Sequence, residues 1–200
     1  NWIKRQINDP YVIEANKLGY KSRAAFKLLQ IDDKYNFLKP NRKVIDLGCA
    51  PGGWLQVAVQ KVRSTENEIK VIGVDILPVE KILGSKTFIG DINDSEIDKK
   101  LIDVLGDYPD IILSDMAANV IGHKQTDHLR TTQLIEIALD FTLKNLKKNG
   151  TFLVKTFKGG TETELLNIMK KKFNYVKNIK PLASRPESVE SYTVCLDFKG

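Results

Sequence analysis

The sequence has few of the residues that build disulfide frameworks and metal sites. It contains two cysteines and two histidines among 200 residues. Cys49 and Cys195 each lie in an apolar stretch typical of a buried strand or its exit. Neither a disulfide framework nor a zinc site is therefore predicted, and a reducing compartment is the default expectation. His123 and His128 have no second group of ligands near them in the sequence, and we expect no metal centre.

Long apolar runs and internal repeats are also missing. No run approaches the roughly 20 residues that a membrane-spanning helix needs, so we expect a soluble protein with no membrane partner. With 42% hydrophobic residues, the chain can bury one sizeable core, which favours a single α/β domain over two marginal ones. The sequence begins at Asn1 rather than Met, and we expect any targeting segment to lie outside it.

The charge balance is basic and fits a polyanionic partner. The sequence contains 31 Lys and Arg against 25 Asp and Glu, a formal net charge of +6. A lysine-rich, solvated surface explains the same excess, so composition alone leaves the two interpretations even. The lysine run at 170–172 is interpreted as such a solvated face.

Apolar runs with helical stretches between them predict a doubly wound α/β fold. Several runs are apolar at consecutive positions, which indicates strands covered on both faces, as in a mainly parallel sheet with helices on each side. Ligands in such sheets bind outside the carboxyl ends of the strands. The predicted strands are 43–47, 70–75, 87–89, 111–114, 151–156 and 192–198.

The beginning of the chain is less regular. The first twenty residues precede the first clear helix, and we expect them to be partly ordered at best. Ser22 is predicted to cap that helix, which carries Phe26 and Leu29. A later helix is predicted from an apolar stripe at helical spacing, formed by Leu134, Ile137, Ala138 and Phe141.

A glycine-rich turn follows the first predicted strand. Residues 44–54 read VIDLGCAPGGW, a strand running into a turn and then a helix that begins near Leu55. Gly48, Gly52 and Gly53 allow a ligand to approach the backbone, and amides at a helix start favour electronegative atoms. The pattern is neither the GxGxxG of dinucleotide sites nor a phosphate loop, because no GK[ST] follows. An ordinary tight connection is the alternative.

Acidic residues at the next two strand ends complete a nucleoside pocket. Asp75 closes VIGVD, where a carboxylate can accept both hydroxyls of a ribose. Asp91 in GDI follows the third strand, where its carboxylate or the neighbouring amide can meet the edge of an adenine. Each alone could be a helix cap or a solvated turn residue. Together with the glycine-rich turn, they predict a nucleoside site.

A resemblance to a known family is carried by DLGCAPGGW, followed by VDI, GDI and LSDMAAN. These motifs resemble those of S-adenosylmethionine-dependent methyltransferases, specifically the FtsJ (also called RrmJ) family of ribose 2′-O-methyltransferases that act on RNA. The likeness extends from SRAAFKLLQ near residue 22 to SRPESVESY near residue 184, in family order. It implies a Rossmann-like fold with a mainly parallel seven-stranded sheet flanked by helices.

The same resemblance implies a domain layout and a cofactor. Residues 22–200 are expected to form one methyltransferase domain, and residues 1–21 a basic segment that contacts RNA. S-adenosylmethionine is the implied cofactor, with S-adenosylhomocysteine as product. Trp54 either packs over this cofactor or anchors the first helix as a buried aromatic. The implied cofactor pocket comprises Gly48, Pro51, Gly52, Gly53, Trp54, Asp75, Ile76, Asp91, Ile92 and Asp115.

Four separated polar residues match the Lys-Asp-Lys-Glu constellation of the family. They are Lys27 in SRAAFKL, Asp115 in LSDMAAN, Lys155 in FLVKTF and Glu190 in SRPESVESY. Alone, Lys27 would be a solvated helix lysine and Glu190 a surface carboxylate. Lys155 is harder to explain in that way, because it ends an apolar strand where an unpaired charge is costly.

The chemistry of ribose methylation gives these residues expected roles. A ribose hydroxyl needs a base, and a lysine with a pKa of ~10.4 is protonated at neutral pH unless burial or a neighbouring cation lowers that pKa. We predict that Lys155 is the general base, that Asp115 and Lys27 position and tune it, and that Glu190 orients a lysine or the ribose. The carboxylates raise the pKa of Lys155, so the sign of its net shift stays open.

A 2′-hydroxyl acceptor implies RNA and excludes DNA. The resemblance is strongest to the branch that methylates a uridine of large-subunit rRNA in bacteria or mitochondria, so rRNA or the ribosomal subunit is the expected partner. Tyr11 and Tyr20 are candidates for stacking on an unpaired base. The candidate phosphate contacts are Lys4, Arg5, Lys17, Lys21, Arg23 and Arg185.

Other assignments remain as alternatives. Relatives that modify tRNA share the same motifs, and a noncatalytic RNA-binding module on this fold would keep the glycine-rich turn without the chemistry. A small-molecule methyltransferase is disfavoured by the two-lysine site, and a dehydrogenase by the glycine pattern. We expect a monomer inside the cell, with a mitochondrion or another organelle favoured and the cytoplasm or nucleus as alternatives.

Overall fold

Seven strands form one sheet in the part of the chain that the computed structural model describes, residues 6–118, 121–157 and 163–200. The strands are β1 Val44–Leu47, β2 Val71–Asp75, β3 Ser85–Ile89, β4 Ile111–Ser114, β5 Thr151–Phe157, β6 Phe173–Ile179 and β7 Glu190–Phe198. Their order across the sheet is β3-β2-β1-β4-β5-β7-β6.

Helices cover both faces of this sheet. The helices are α1 Pro10–Leu18, α2 Ala24–Tyr35, α3 Gly53–Val62, α4 Ile97–Leu105, α5 Lys124–Asn145 and α6 Thr163–Lys172. One hydrophobic cluster lies between the sheet and helices α2 and α3, and the other lies between the sheet and helices α4, α5 and α6. Val44 of β1 belongs to the first cluster, whereas Ile45 and Leu47 belong to the second.

The predicted doubly wound fold is confirmed. Strands β1 to β5 pair in parallel, and every residue of β1 and β4 is buried, as expected for strands covered on both faces. β7 runs antiparallel between β5 and β6. Among the described helices, none is long and apolar enough to cross a membrane.

Three local expectations were wrong. Residues 10–18 form helix α1, which Asp9 caps, although we expected this region to be partly ordered at best. Arg23, and not Ser22, precedes α2, and no side chain caps that helix within the described residues. β6 was not among the predicted strands, because this edge strand is largely exposed and polar residues interrupt its apolar ones. The candidate phosphate contacts Lys4 and Arg5 lie outside the described residues.

Candidate active site

The sheet topology brings three residues of the predicted tetrad to one place. Asp115 directly follows β4, Lys155 lies in β5, and Glu190 is the first residue of β7. β4 and β5 are parallel neighbours, so the end of β4 meets the middle of β5. β7 pairs with β5 on the other side, with Tyr192 opposite Lys155. Lys27 comes from the first turn of α2.

The four side chains form a continuous series of ion pairs. Nζ of Lys155 lies 3.1 Å from Oδ1 of Asp115 and 3.6 Å from Oε2 of Glu190. Nζ of Lys27 donates to the other carboxylate oxygen of Glu190. The order is therefore Asp115, Lys155, Glu190, Lys27, with Glu190 between the two lysines. The side chains are only 10–18% exposed, and charges so far removed from water require such partners.

Tyr192 joins the two carboxylates and was missed in the sequence. Its buried hydroxyl lies 2.7 Å from Oδ1 of Asp115 and 3.0 Å from Oε1 of Glu190, so it can donate to either. The ammonium of Lys27 lies over its ring at 5.9 Å. The spacing in the sequence could have indicated this contact, because Glu190 and Tyr192 are two residues apart on one strand and therefore share a face. Ser184 adds a further donor to Glu190, at 3.3 Å.

The electrostatic environment fixes the charges of these groups. Burial lowers the pKa of Lys155, but the charges of Asp115 and Glu190 and their hydrogen bonds outweigh it, so the net pKa is raised above its ordinary value. Burial raises the pKa of Glu190, and the ammonium groups of Lys155 and Lys27 outweigh it, which lowers the pKa to about 2. Burial and both carboxylates raise the pKa of the Tyr192 phenol. At neutral pH, Lys155 is therefore an ammonium and Tyr192 a neutral donor.

The glycine-rich turn lies beside this tetrad. Gly48 and Gly52 have φ values of 72° and 116°, which favour glycine. A Cβ at Gly48 would lie 2.3 Å from Cγ of Met116, the residue after Asp115. Pro51 follows a cis peptide bond, and Gly53 opens α3. Within the described residues, no side chain caps α3, so its first amides remain available to an acceptor.

The residues predicted to hold a nucleoside occupy the neighbouring strand ends. The carboxylate of Asp75 accepts the amides of Ala50 and Leu77, both at 2.9 Å, and so holds the turn as well. Asp91 accepts the amide and the side chain of Asn93, each at 2.9 Å, which is the geometry of a local turn. Of the two apolar residues that follow these acids, Ile76 is exposed and Ile92 packs against the core.

Trp54 has the anchoring position that was one of its two expected roles. Its ring is buried, and Nε1 donates to the carbonyl of Ala24 at 2.8 Å, which ties α3 to α2. The ring also lies 5.7 Å from that of Tyr192. Trp54 therefore links the glycine-rich turn to Tyr192, which contacts the tetrad.

Asp46 is a second residue that the sequence reasoning missed. It lies in β1, directly before the turn, and both carboxyl oxygens are buried without a hydrogen-bond partner in the part of the chain described here. Burial, with the charges of Asp115 and Asp75, raises its pKa well above the ordinary value. The sequence could have indicated this residue, because a carboxylate within the apolar stretch VIDL is costly to bury without a partner.

The candidate RNA-contacting residues differ in their surroundings. Tyr11 and Tyr20 both pack on Phe26, with ring centroids 5.5 and 5.7 Å away, so their rings also serve the fold. Lys21 is paired with Glu80. Arg23 and Arg185, in contrast, converge on Asp9 next to the tetrad. Lys17 is exposed in the last turn of α1.

The remaining candidates make local structural contacts. His123 caps α5 by accepting the amide of Thr126 at 3.3 Å. Residues 170–172 end α6, where the carbonyl of Gly200 accepts from Lys172 at 3.4 Å. Across the described ranges, no group of three His, Cys, Asp or Glu side chains is placed to hold a metal ion.

Comparisons with known proteins found similar sequences and structures. The model of the FtsJ-like methyltransferase family matches residues 20–198. Two curated relatives are the large-subunit ribosomal RNA methyltransferase E of Brucella ovis and that of Brucella canis. Each is 52% identical over 199 residues, which cover 100% of this chain and 83% of the relative.

Solved structures show the same fold. A Plasmodium falciparum structure described as a candidate ribosomal RNA methyltransferase has a TM-score of 0.77 and 36% identity, covering 90% of this chain and 100% of that one. The N-methyltransferase NodS of Bradyrhizobium japonicum has a TM-score of 0.58 and 12% identity, covering 96% of this chain and 99% of its own. At that identity the likeness concerns the fold alone.

Proposed function

Since this chain belongs to the FtsJ-like methyltransferase family, we propose that it transfers the methyl group of S-adenosylmethionine to a ribose 2′-hydroxyl in RNA. The observation that carries the proposal is the series of ion pairs that joins Asp115, Lys155, Glu190 and Lys27 beside the glycine-rich turn. Burying four charges in one place is costly for the fold, which favours a chemical role over a noncatalytic RNA-binding module.

The proposed acceptor is a uridine of large-subunit rRNA, either free or within the ribosomal subunit. The names of the Brucella relatives support this choice over tRNA. The excess of positive charge is consistent with an RNA partner. A monomeric state and an organellar setting, with the cytoplasm or nucleus as alternatives, belong to the same proposal.

The residues around the turn fit the proposed cofactor. The uncapped amides at the start of α3 suit a carboxylate, and the carboxylate of Asp75 has lone pairs left for ribose hydroxyls. The unpartnered oxygens of Asp46 suit a cationic or donor group. When bound, S-adenosylmethionine supplies the methyl group on a positively charged sulfur.

The proposed chemical role of this chain is to hold the acceptor and take its proton. The 2′-hydroxyl proton passes to Nζ of Lys155, which must be neutral to accept it. In this structure the pKa of Lys155 is raised, so Lys155 first has to lose a proton. Any positive charge that binds beside Asp115 offsets the two carboxylates and lowers that pKa. Asp115 and Glu190 then stabilise the ammonium that forms when the proton arrives.

Methyl transfer from labelled S-adenosylmethionine tests this function directly. We expect label in large-subunit rRNA or the ribosomal subunit, at a ribose whose adjacent bond resists alkaline hydrolysis, and none when that nucleotide is 2′-deoxy. Label on a base, or in tRNA alone, would contradict the proposed acceptor. Failure to bind S-adenosylmethionine by calorimetry would favour the noncatalytic module.

A further inference from the structure

The loop between β6 and β7 ends at the candidate active site. It comprises residues 180–189, and we call it the β6–β7 loop. Glu190, the next residue, opens β7 and lies between Lys155 and Lys27 in the series of ion pairs. The loop also supplies lining residues to a cleft of about 390 Å³ that Lys27 and Glu190 share. The shape of this loop therefore decides where Glu190 is placed.

Lys180 ties the beginning of the β6–β7 loop to its end. Its ammonium donates to the carbonyl of Pro186 at 3.1 Å and to the carbonyl of Ser188, six and eight residues further along the chain. The segment in between forms a turn, in which the amide of Ser188 donates to the carbonyl of Arg185 at 3.0 Å. Hydrogen bonds from an ammonium are stronger than those between neutral groups. One side chain thus closes the second half of the loop.

Ser188 connects this closure to the tetrad. Its Oγ accepts the amide of Glu190 at 3.1 Å, so the residue that Lys180 holds also holds the start of β7. Oγ of Ser184, in the first half of the loop, lies 3.3 Å from Oε1 of the same glutamate. Both the backbone and the carboxylate of Glu190 are therefore bound to the β6–β7 loop.

The two halves of the loop are stabilised differently. In the first half, the amide of Ala183 donates to Oε1 of Gln30 in α2 at 2.7 Å, and Ala183 is buried. Residues 185–189 are half-buried or exposed, so hydrogen bonds and ion pairs have to hold them in place of packing. Arg185 is paired with a carboxylate at the start of α1, and Lys180 binds the residues that follow it.

Building on the proposed function, we propose that Lys180 is a positioning residue for methyl transfer, which holds the β6–β7 loop in the shape that places Glu190 between Lys155 and Lys27. It acts through the loop, because its hydrogen bonds within the described residues go to loop carbonyls and not to the tetrad. The contact between Lys155 and Glu190 is 3.6 Å long, so a small displacement of Glu190 breaks it first. A misplacement of about 1 Å can lower the rate by ~10²-fold.

Steady-state methyl transfer to large-subunit rRNA from labelled S-adenosylmethionine measures this role. Lys180→Met keeps the aliphatic chain and removes both hydrogen bonds, so we expect kcat to fall about tenfold with the KM for RNA within about twofold of the wild type. Lys180→Arg keeps the donors and should restore kcat to within about threefold. Lys177→Met is the matched control, because Lys177 is exposed in β6 and has no hydrogen bond to the loop among the described residues.

The pKa of Glu190 gives a second measurement that does not depend on activity. Carbon-13 NMR follows the titration of its carboxyl group, identified by the signal missing in Glu190→Gln. The ammonium groups of Lys155 and Lys27 lower this pKa to about 2. If Glu190 leaves its place between them, the pKa rises towards the ordinary 4.5. We expect that rise in Lys180→Met and the wild-type value in Lys177→Met.

The outcomes separate the positioning role from other roles of Lys180. An unchanged pKa of Glu190 in Lys180→Met would overturn it. A higher KM for RNA with an unchanged kcat would also overturn it and make Lys180 a contact of the RNA itself. Ser188→Ala removes the bond to the Glu190 amide and should raise the pKa by less, which keeps the test decisive if Lys180→Met does not fold. If the wild type transfers no methyl group and Lys180→Met still raises the pKa, the proposed function fails and the placement of Glu190 by Lys180 stands.

Discussion

Asp46 beneath the glycine-rich turn and Glu190 in the tetrad are both acids held away from water, and their pKa values move in opposite directions. Burial raises both pKa values, but only Glu190 has ammonium groups beside it, and its pKa falls to about 2. The tetrad is thus a set of paired charges, whereas both carboxyl oxygens of Asp46 lack a hydrogen-bond partner among the described residues. The difference indicates that a positively charged ligand would be stabilised beside Asp46 rather than in the tetrad.

Lys155→Ala should have the largest effect on the tetrad, because it removes the cation between Asp115 and Glu190. We expect methyl transfer to fall by ~10²-fold or more, as for the loss of a general base, with cofactor binding retained. Single-turnover transfer and calorimetry measure the two quantities. Activity within about twofold of the wild type would remove Lys155 from the proposed role.

Glu190→Gln removes the acid whose pKa is lowered. Because the folded pKa of about 2 lies below the ordinary 4.5, Glu190 stabilises the fold above pH 4.5, and this stability is lost as the pH falls towards 2. We expect the variant to lose up to about 3 kcal/mol of unfolding free energy at pH 7 and progressively less below pH 4.5. Urea unfolding at several pH values measures this, with Glu136→Gln on the exposed face of α5 as control. A constant difference across pH would contradict the assignment.

Asp46→Asn should change the free energy of unfolding with pH in the opposite direction. The raised pKa of Asp46 means that the fold loses stability as the pH rises above the ordinary value of 3.8, where the unfolded chain ionises. We therefore expect the variant to be more stable than the wild type at pH 7, with the gain in unfolding free energy growing above pH 3.8 and vanishing near pH 3. Urea unfolding at both pH values measures the gain, and destabilisation at pH 7 would show that Asp46 is ionised and paired in solution.

Tyr192→Phe should have the smallest effect of the four. Both carboxylates lose a shared donor and become stronger partners for Lys155, so the pKa of Lys155 should rise further. We expect kcat to fall about three- to tenfold and the rising limb of the pH–rate profile to move to higher pH. An unchanged profile would leave Tyr192 with a packing role alone.

Most of the sheet and the four tetrad residues could be predicted from the sequence, for different physical reasons. Apolar runs covered on both faces reveal β1 and β4 directly, whereas β6 is an exposed edge strand whose stability depends on β7. Lys27, Asp115, Lys155 and Glu190 were identified through family motifs, and the strand order explains why they meet. Their catalytic roles stay predictions.

Contacts between distant side chains, and the pKa shifts that they cause, could not be predicted from the sequence. The sign of the pKa shift of Lys155 depends on whether burial or two carboxylates dominate, which only distances decide. Asp46 and Tyr192 were missed because a carboxylate or phenol within a strand has no evident role until its neighbours are known. Asp9 lies in the segment that was expected to be partly ordered at best, although it caps α1 and pairs with both arginines.

The ion pair between Lys27 and Glu190 joins residues that are 163 positions apart. Glu190 opens β7, which inserts between β5 and β6, so β6 has no neighbour in the sheet until β7 is synthesised. A nascent chain that lacks β7 can complete neither the sheet nor the series of ion pairs. Methyl transfer is therefore expected to begin only after β7 has been translated.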